Sequence, residues 1–146
     1  MKIRLFAALA AVALACSATR LSGEGPAPAA VFGSGSEESG WKPSTNLPPG
    51  AEYLLIREDP ATHGVQALAR FPSGYAVGPH SHGYDETLVI LSGKLELKAD
   101  GASRVLSAGD YAVLPANLPH EMKAQGWRGV RLIVTVSGPY DLKKTP

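Results

Sequence analysis

Short runs of apolar or alternating residues recur along the chain from about residue 51 onward, and none of them follows a helical period. Clusters of Gly, Pro, Ser, Asn and Asp separate the runs, and these residues favour turns. Strands joined by turns at this spacing, with no helix to cover a sheet face, predict an antiparallel sandwich or a closed barrel. The predicted strands are 51–58, 64–71, 86–92, 94–99, 110–115, 120–125 and 130–137.

The first residues differ from the rest in hydropathy and predict a signal peptide over residues 1–21. Lys2 and Arg4 open this segment, an uncharged apolar run extends from Leu5 to Ala15, and small residues follow. This order is typical of a secretory signal, and the run is too short to span a bilayer as a helix. A buried N-terminal helix is the alternative. The segment therefore favours an exported protein.

The only cysteine, Cys16, ends the apolar run in the sequence VALAC. The stretch resembles a bacterial lipobox, in which the cysteine is lipidated after cleavage before it, although Ala13 stands where Leu is most typical. Ordinary signal peptidase cleavage after Ala15 or Ala18 is the competing interpretation. The predicted location is periplasmic or lipid-anchored to the cell envelope, and membrane attachment is expected only through a lipid at Cys16.

Composition divides the remaining chain into a linker and one domain. Residues 22–40 are rich in small residues, Pro and acid, which predicts a flexible linker. The folded domain is predicted at 41–146, and a length of 146 residues allows a single domain. A net charge of +1 gives no excess of basic residues of the kind that nucleic-acid binding requires. The sequence GPYDLKK, 138–144, is expected to be a surface tail.

Two histidines and a glutamate lie close together in a strand-like segment. His80 and His82 are two residues apart, so their side chains point to the same side of a strand. Their Cα atoms are expected about 6.6 Å apart at about 3.3 Å per residue, which lets both imidazoles reach one ion. Glu86 has the same parity, and His120 begins another predicted strand. Three imidazoles and a carboxylate suit a first-row transition metal, but histidine pairs on barrel rims also occur without metal.

Other polar and aromatic residues are assigned more loosely. His63 lies in the turn DPATHG and is expected to be a solvated loop residue without a partner. Tyr84 either faces a substrate or caps a turn, and Asp85 is solvated or supports the ligands from behind. A further set is expected to line or cover the barrel: Arg70, Tyr111, Met122 and Trp127.

The same histidine segment resembles the first motif of the cupin superfamily, G-x5-H-x-H-x3,4-E-x6-G. The five residues Gly74, His80, His82, Glu86 and Gly93 occupy all of its fixed positions. The motif therefore matches in full over residues 74–93.

The second cupin motif, G-x5-P-x-G-x2-H-x3-N, is matched in part. Gly109, Pro115 and His120 agree with it, whereas Asn117 replaces a glycine and Ala124 replaces the final Asn. Asn tolerates a left-handed backbone, so the first replacement is mild. The second removes a polar group that is not a metal ligand in the family. The resemblance covers most of residues 50 to 137.

The resemblance implies a small jelly-roll barrel of six to eight antiparallel strands. His80, His82, Glu86 and His120 would coordinate one divalent metal, which is Mn, Fe, Ni, Cu, Co or Zn. Gly74 and Gly93 would serve tight turns, and Pro115 would shape the turn into His120. Trp41 and the sequence NLPPGAEY would form an arm or strand that covers a sheet edge, a feature that often mediates dimers in this family, so a homodimer is expected.

Function is less determined than fold, because one fold supports many activities. The first hypothesis is a small metalloenzyme, dioxygenase- or isomerase-like, that acts on a small organic substrate. The alternative is a non-catalytic module that binds or senses a small ligand, and a third possibility is a metal that only holds strands together. No catalytic residue beyond the metal ligands is assigned.

Lipidation at Cys16 is directly testable. If it occurs, we expect the wild-type chain to incorporate radiolabelled palmitate and Cys16→Ser to lose the label, because serine offers no thiol. Label that persists in Cys16→Ser would rule out a lipid at this cysteine.

Overall fold

Strands form the regular structure of the protein, which a computed structural model describes over residues 30–36 and 38–145. The predicted signal peptide, Cys16 and the first part of the predicted linker lie outside the described residues. Within them, no helix is long and apolar enough to cross a membrane. The prediction of an all-β chain is confirmed.

The described residues contain eleven strands, of which the first and the last have only two residues each. Seven of the others were predicted with ends that agree to within one residue. Of the remaining four, the strands 42–43 and 143–144 lie at sheet edges, 76–81 lies in the strand-like histidine segment, and 102–107 was not predicted. The strands are β1 Lys42–Pro43, β2 Glu52–Glu58, β3 Val65–Phe71, β4 Ala76–Ser81, β5 Glu86–Ser92, β6 Lys94–Ala99, β7 Ala102–Ser107, β8 Tyr111–Leu114, β9 His120–Gln125, β10 Val130–Val136 and β11 Lys143–Lys144.

The strands form two antiparallel sheets. Sheet A has the order β1-β2-β3-β10-β5-β8, and sheet B has the order β11-β4-β9-β6-β7. The chain crosses repeatedly between the sheets, and this is the predicted jelly-roll architecture. Because of these crossings, β4 pairs with β9, and the register places His80 opposite His120. Residues forty positions apart thereby become neighbours.

The core follows the two-residue period of the strands. In β5 the residues Glu86, Leu88 and Ile90 are buried, while Thr87 and Val89 between them are partly exposed. Leu88 and Leu132 retain no exposed surface, and burying such a side chain stabilises the fold by about 1.5–3 kcal/mol. Glu86 shares the inward parity, so its carboxylate lies in the barrel interior, where a charge requires a partner.

Gly93 makes the turn between β5 and β6, as the motif implied. Its φ of 80° is in the left-handed region, and a Cβ at this position would overlap the carbonyl oxygen of Gly129. Glycine is therefore required here for two reasons, backbone conformation and close approach.

Both ends of the described chain pack on the sheets. The Glu38 carboxylate accepts hydrogen bonds from Arg70 at 2.8 and 3.0 Å, and β1 pairs with the edge strand β2. The expectation of a surface tail at 138–144 is wrong, because β11 pairs with β4 through Lys143↔Ser81 and Lys144↔His80. The lysine side chains indicate a solvent-exposed segment, but they do not show whether its backbone N–H and carbonyl groups pair with a neighbouring strand.

Candidate metal centre

Four different parts of the chain bring the predicted ligands to one end of the barrel interior. His80 lies near the end of β4, His82 in the connection that follows, Glu86 at the start of β5 and His120 at the start of β9. Each of the four retains at most 3% of its surface exposed. All the predicted ligands are thus buried together.

The three imidazoles of this quartet converge, and the Glu86 carboxylate lies beside two of them. The ligand atoms of His80, His82 and His120 all lie within 4.8 Å of one another. Glu86 Oε2 is 3.2 Å from His120 Nε2 and 3.6 Å from His82 Nε2. These separations suit side chains that share a single ion with bonds of about 2.1 Å.

Backbone carbonyls orient each of the three imidazoles. His80 Nδ1 donates to the Gly78 carbonyl at 2.8 Å, and His120 Nδ1 donates to the Leu118 carbonyl at 3.0 Å. His82 Nδ1 donates to the carbonyl of Asp141. A carbonyl only accepts, so each Nδ1 must carry a proton and each neutral ring presents its Nε2 lone pair to the others.

The converging atoms are acceptors that face one another. His80 Nε2, His82 Nε2, His120 Nε2 and Glu86 Oε2 are buried and have no hydrogen-bond partner in the part of the chain that the structure describes. Burying polar atoms without partners is costly. A cation among them resolves the conflict, and nitrogen and oxygen ligands suit a divalent transition metal. The residues present therefore fit a metal ion.

Burial and neighbouring charge separate the pKa values of two of these histidines. Burial lowers the pKa of His80 to about 4, with a further contribution from the adjacent histidines. Burial also opposes protonation of His120, but the Glu86 carboxylate and the Leu118 carbonyl outweigh it and raise the pKa of His120. A metal would therefore displace the proton that Glu86 helps to hold on His120, whereas His80 is neutral without losing a proton.

The segment after β10 supports the centre, and sequence reasoning missed it. Besides the Asp141 carbonyl on His82, the Asp141 carboxylate accepts the Gly83 N–H at 2.9 and 3.1 Å. Burial acts to raise the pKa of Asp141, but the Gly83 N–H and Lys143 outweigh it and lower the value. The Tyr140 ring lies 5.2 Å from the His82 ring. No sequence motif marks these contacts.

The residues between and beside the ligands have structural roles. Tyr84 is 42% exposed and packs on Gly138, so it caps the turn. The carboxylate of Asp85 is exposed and accepts the Ala116 N–H at 2.8 Å, which holds the loop that leads to His120. Asn117 in that loop has a φ of 63°. This is the left-handed conformation expected at the glycine position of the motif, and Asn tolerates it. The Asn117 N–H donates to the His82 carbonyl at 2.7 Å.

Two looser predictions are corrected. His63 is exposed as expected, but its Nδ1 lies 2.9 Å from Glu58 Oε1, so it does have a partner. Of the four residues expected to line or cover the barrel, Met122 lines its interior. Arg70 instead stacks over Trp41, and the two aromatic residues are exposed to solvent. Tyr111 is 70% exposed and Trp127 is 79% exposed. Isolated aromatic residues give no sign of which sheet face they occupy.

A cavity of about 250 Å³ extends through the barrel interior to the quartet. Glu86 and Tyr140 lie in its wall. Burial, together with the negative charge of Glu86, raises the pKa of the Tyr140 hydroxyl. The cavity supplies space for a small molecule beside Glu86, the one candidate ligand in its wall.

Comparisons with known proteins agree with this geometry. The family model of the cupin domain matches residues 67–136. A quercetin 2,3-dioxygenase of Bacillus subtilis (strain 168) is 42% identical over 53 residues, which cover 36% of this chain and 16% of that protein. The polyketide synthase CurC of Streptomyces cyaneus is 30% identical over 78 residues, 53% of this chain and 51% of that protein. The chain thus spans about half or less of the length of these relatives.

A solved structure shows the same fold. The crystal structure of a predicted oxalate decarboxylase from Thermotoga maritima matches with a TM-score of 0.63 and covers 75% of this chain and 98% of that chain. The sequences are 21% identical. The similarity therefore concerns the architecture of the barrel.

The pKa of His80 predicts a pH dependence of stability in the presence of a chelator. The unfolded chain protonates His80 near 6.5, whereas the folded chain does so near 4. The His80 contribution should therefore be present above pH 6.5 and should be lost as the pH falls towards 4, by up to about 3 kcal/mol. His120 acts oppositely: its raised pKa adds stability below 6.5 that is lost as the pH rises.

The measurement is urea unfolding at a series of pH values for the wild type and His80→Gln. The variant should show a flatter profile between pH 6.5 and 4, and the exposed-site control His63→Gln should follow the wild type. Identical profiles for all three proteins in this window would contradict the prediction.

Proposed function

This chain belongs to the cupin superfamily, and on that basis we propose that it holds one divalent transition metal through His80, His82, Glu86 and His120 and acts on a small organic molecule beside it. The observation that carries the proposal is the convergence of four buried acceptor atoms without a hydrogen-bond donor among the described residues. Such an arrangement is stabilised by a positive charge among the four atoms, either a metal ion or a proton shared by Glu86 and His120.

The residues of the chain define what the centre can do. Three imidazoles and one carboxylate leave two positions of an octahedron for a substrate, and a metal there would serve as a Lewis acid or activate dioxygen. The three backbone carbonyls at the Nδ1 atoms hold the rings in place. The barrel walls exclude bulk water, which strengthens electrostatic interactions inside.

The proposed reaction is dioxygenase- or isomerase-like. The 42% identity to a protein named quercetin 2,3-dioxygenase supports oxygen chemistry, although it extends over 16% of that protein. A second candidate function is a non-catalytic module that binds a small ligand. The apolar cavity favours this alternative, because it can retain a ligand whether or not the ligand reacts.

The proposal includes export of the protein from the cytoplasm. It is supported by the charged start and apolar run of residues 1–21, which predict a signal peptide. The location is then periplasmic, or lipid-anchored if Cys16 is acylated. The homodimer suggested by the family resemblance is likewise retained as a prediction.

Metal content tests the centre itself. Mass spectrometry of the purified full-length protein should find about one equivalent of a transition metal, as expected for a single three-histidine, one-carboxylate site. His80→Ala/His82→Ala should lose it because two of the four ligands are gone, and the surface control His63→Ala should retain it. A wild type that holds no metal, even after reconstitution with Mn, Fe, Ni, Cu and Zn, would contradict the proposal.

Oxygen uptake tests the reaction class. The protein loaded with Fe or Cu should consume oxygen with at least one member of a panel of catechols, thiols and diketones, and the double histidine variant should not. Absence of uptake, together with a small molecule that co-purifies and stays bound, would favour the binding module instead.

A further inference from the structure

The cavity beside the quartet has mainly apolar walls. Glu86 is the member of the quartet that lies in its wall, so a molecule in the cavity meets the centre from that side. Apolar walls with few polar groups are typical of sites that bind compact organic molecules. Part of the apolar wall comes from three strands of sheet A: Ala67, Ala69, Phe71, Leu88, Leu132 and Val134.

The charged groups along the cavity have one sign. Its lining includes Glu52, Glu58 and Glu86, and none of the lining residues is a lysine, arginine or histidine. Glu52 pairs with Arg70 at 2.7 Å, and the guanidinium of Arg70 stacks over Trp41 and is not part of the cavity wall. An anionic group in the body of a ligand would be buried without a cation, which is strongly unfavourable.

One tyrosine of the cavity wall, Tyr140, lies beside the centre and carries a hydroxyl. Tyr140 lies in the cavity wall together with Glu86, and its ring is 5.2 Å from the His82 ring. The neighbouring Asp141 is fixed by Gly83 and His82, so the tyrosine is held at the centre. A half-buried tyrosine hydroxyl usually has a hydrogen-bond partner.

We propose that the cavity takes a mainly apolar molecule with one oxygen-donor head and no anionic group in its body, and that Tyr140 donates a hydrogen bond to that head. The inference rests on the proposed metal centre, which would bind the head. Dicarboxylates and phosphorylated sugars do not meet this requirement, because no cationic side chain of the cavity wall would pair with their second anionic group. Tyr140 is then a ligand-binding residue that the cupin motifs do not include.

Two hydroxamic acids with the same metal-binding head provide the test. Benzohydroxamic acid has an apolar ring as its body, and succinic acid monohydroxamate has a carboxylate. Both are titrated into the full-length protein loaded with Co²⁺, whose visible bands report contact of the head with the metal, and calorimetry measures affinity. We expect the benzo compound to bind more tightly by about tenfold or more, because a buried unpaired charge is penalised.

Two variants locate the effect. Tyr140→Phe should lower the affinity for benzohydroxamic acid by about tenfold, the loss expected for one hydrogen bond. The affinity of the protein for cobalt should be unchanged. The matched control is Tyr111→Phe on the exposed side of β8, which should change neither value. Leu55→Lys places a cation in the cavity wall at a half-exposed position. It should raise the affinity of succinic acid monohydroxamate severalfold.

The outcomes separate this inference from the proposed function. Cobalt bands together with equal affinities, or tighter binding of the carboxylate compound, would overturn the inference and leave the metal centre intact. Absence of cobalt bands would mean that the proposed function fails, and the inference would fall with it. If Tyr140→Phe does not fold, the response of Leu55→Lys decides the charge argument by itself.

Discussion

The mutual repulsion of four buried acceptors is the constraint around which this barrel is organised. Three imidazole Nε2 atoms and one carboxylate oxygen meet in the interior, and no donor of the described residues lies between them. Glu86 is there because it has the parity of Leu88 and Ile90, so the strand cannot bury those residues without burying the carboxylate. The fold therefore stabilises a cluster that is favourable only around a proton or a metal ion.

The orientation of the cluster depends on backbone rather than on other side chains. Each imidazole donates through Nδ1 to a carbonyl, and these carbonyls come from β4, from the loop before β9 and from the segment before β11. Fixed rings lose little entropy when they bind an ion, which is the usual benefit of such supporting contacts. The C-terminal segment links this support to the cavity, because Tyr140 lies in the cavity wall while Asp141 holds His82.

Much of the fold and most of the centre could be predicted from local pattern. Alternation located seven strands to within about one residue, and parity placed His80 and Glu86 on the buried side. Asn117 has the left-handed φ that its place in the second motif suggested. Two strands were missed: β7 was not predicted, and β11 was expected to belong to a surface tail at 138–144 although its backbone pairs with β4.

The sequence by itself determined the all-β class, seven of the strands and the shared parity of His80, His82 and Glu86, because strand periodicity and side-chain chemistry are local properties. Only the tertiary structure decided that His80 lies opposite His120, that the Asp141 carbonyl orients His82 and that Tyr140 reaches the cavity. The reason is that every residue carries the same backbone N–H and carbonyl. Which of these groups meet depends on how the chain crosses between the two sheets, and no residue type records it.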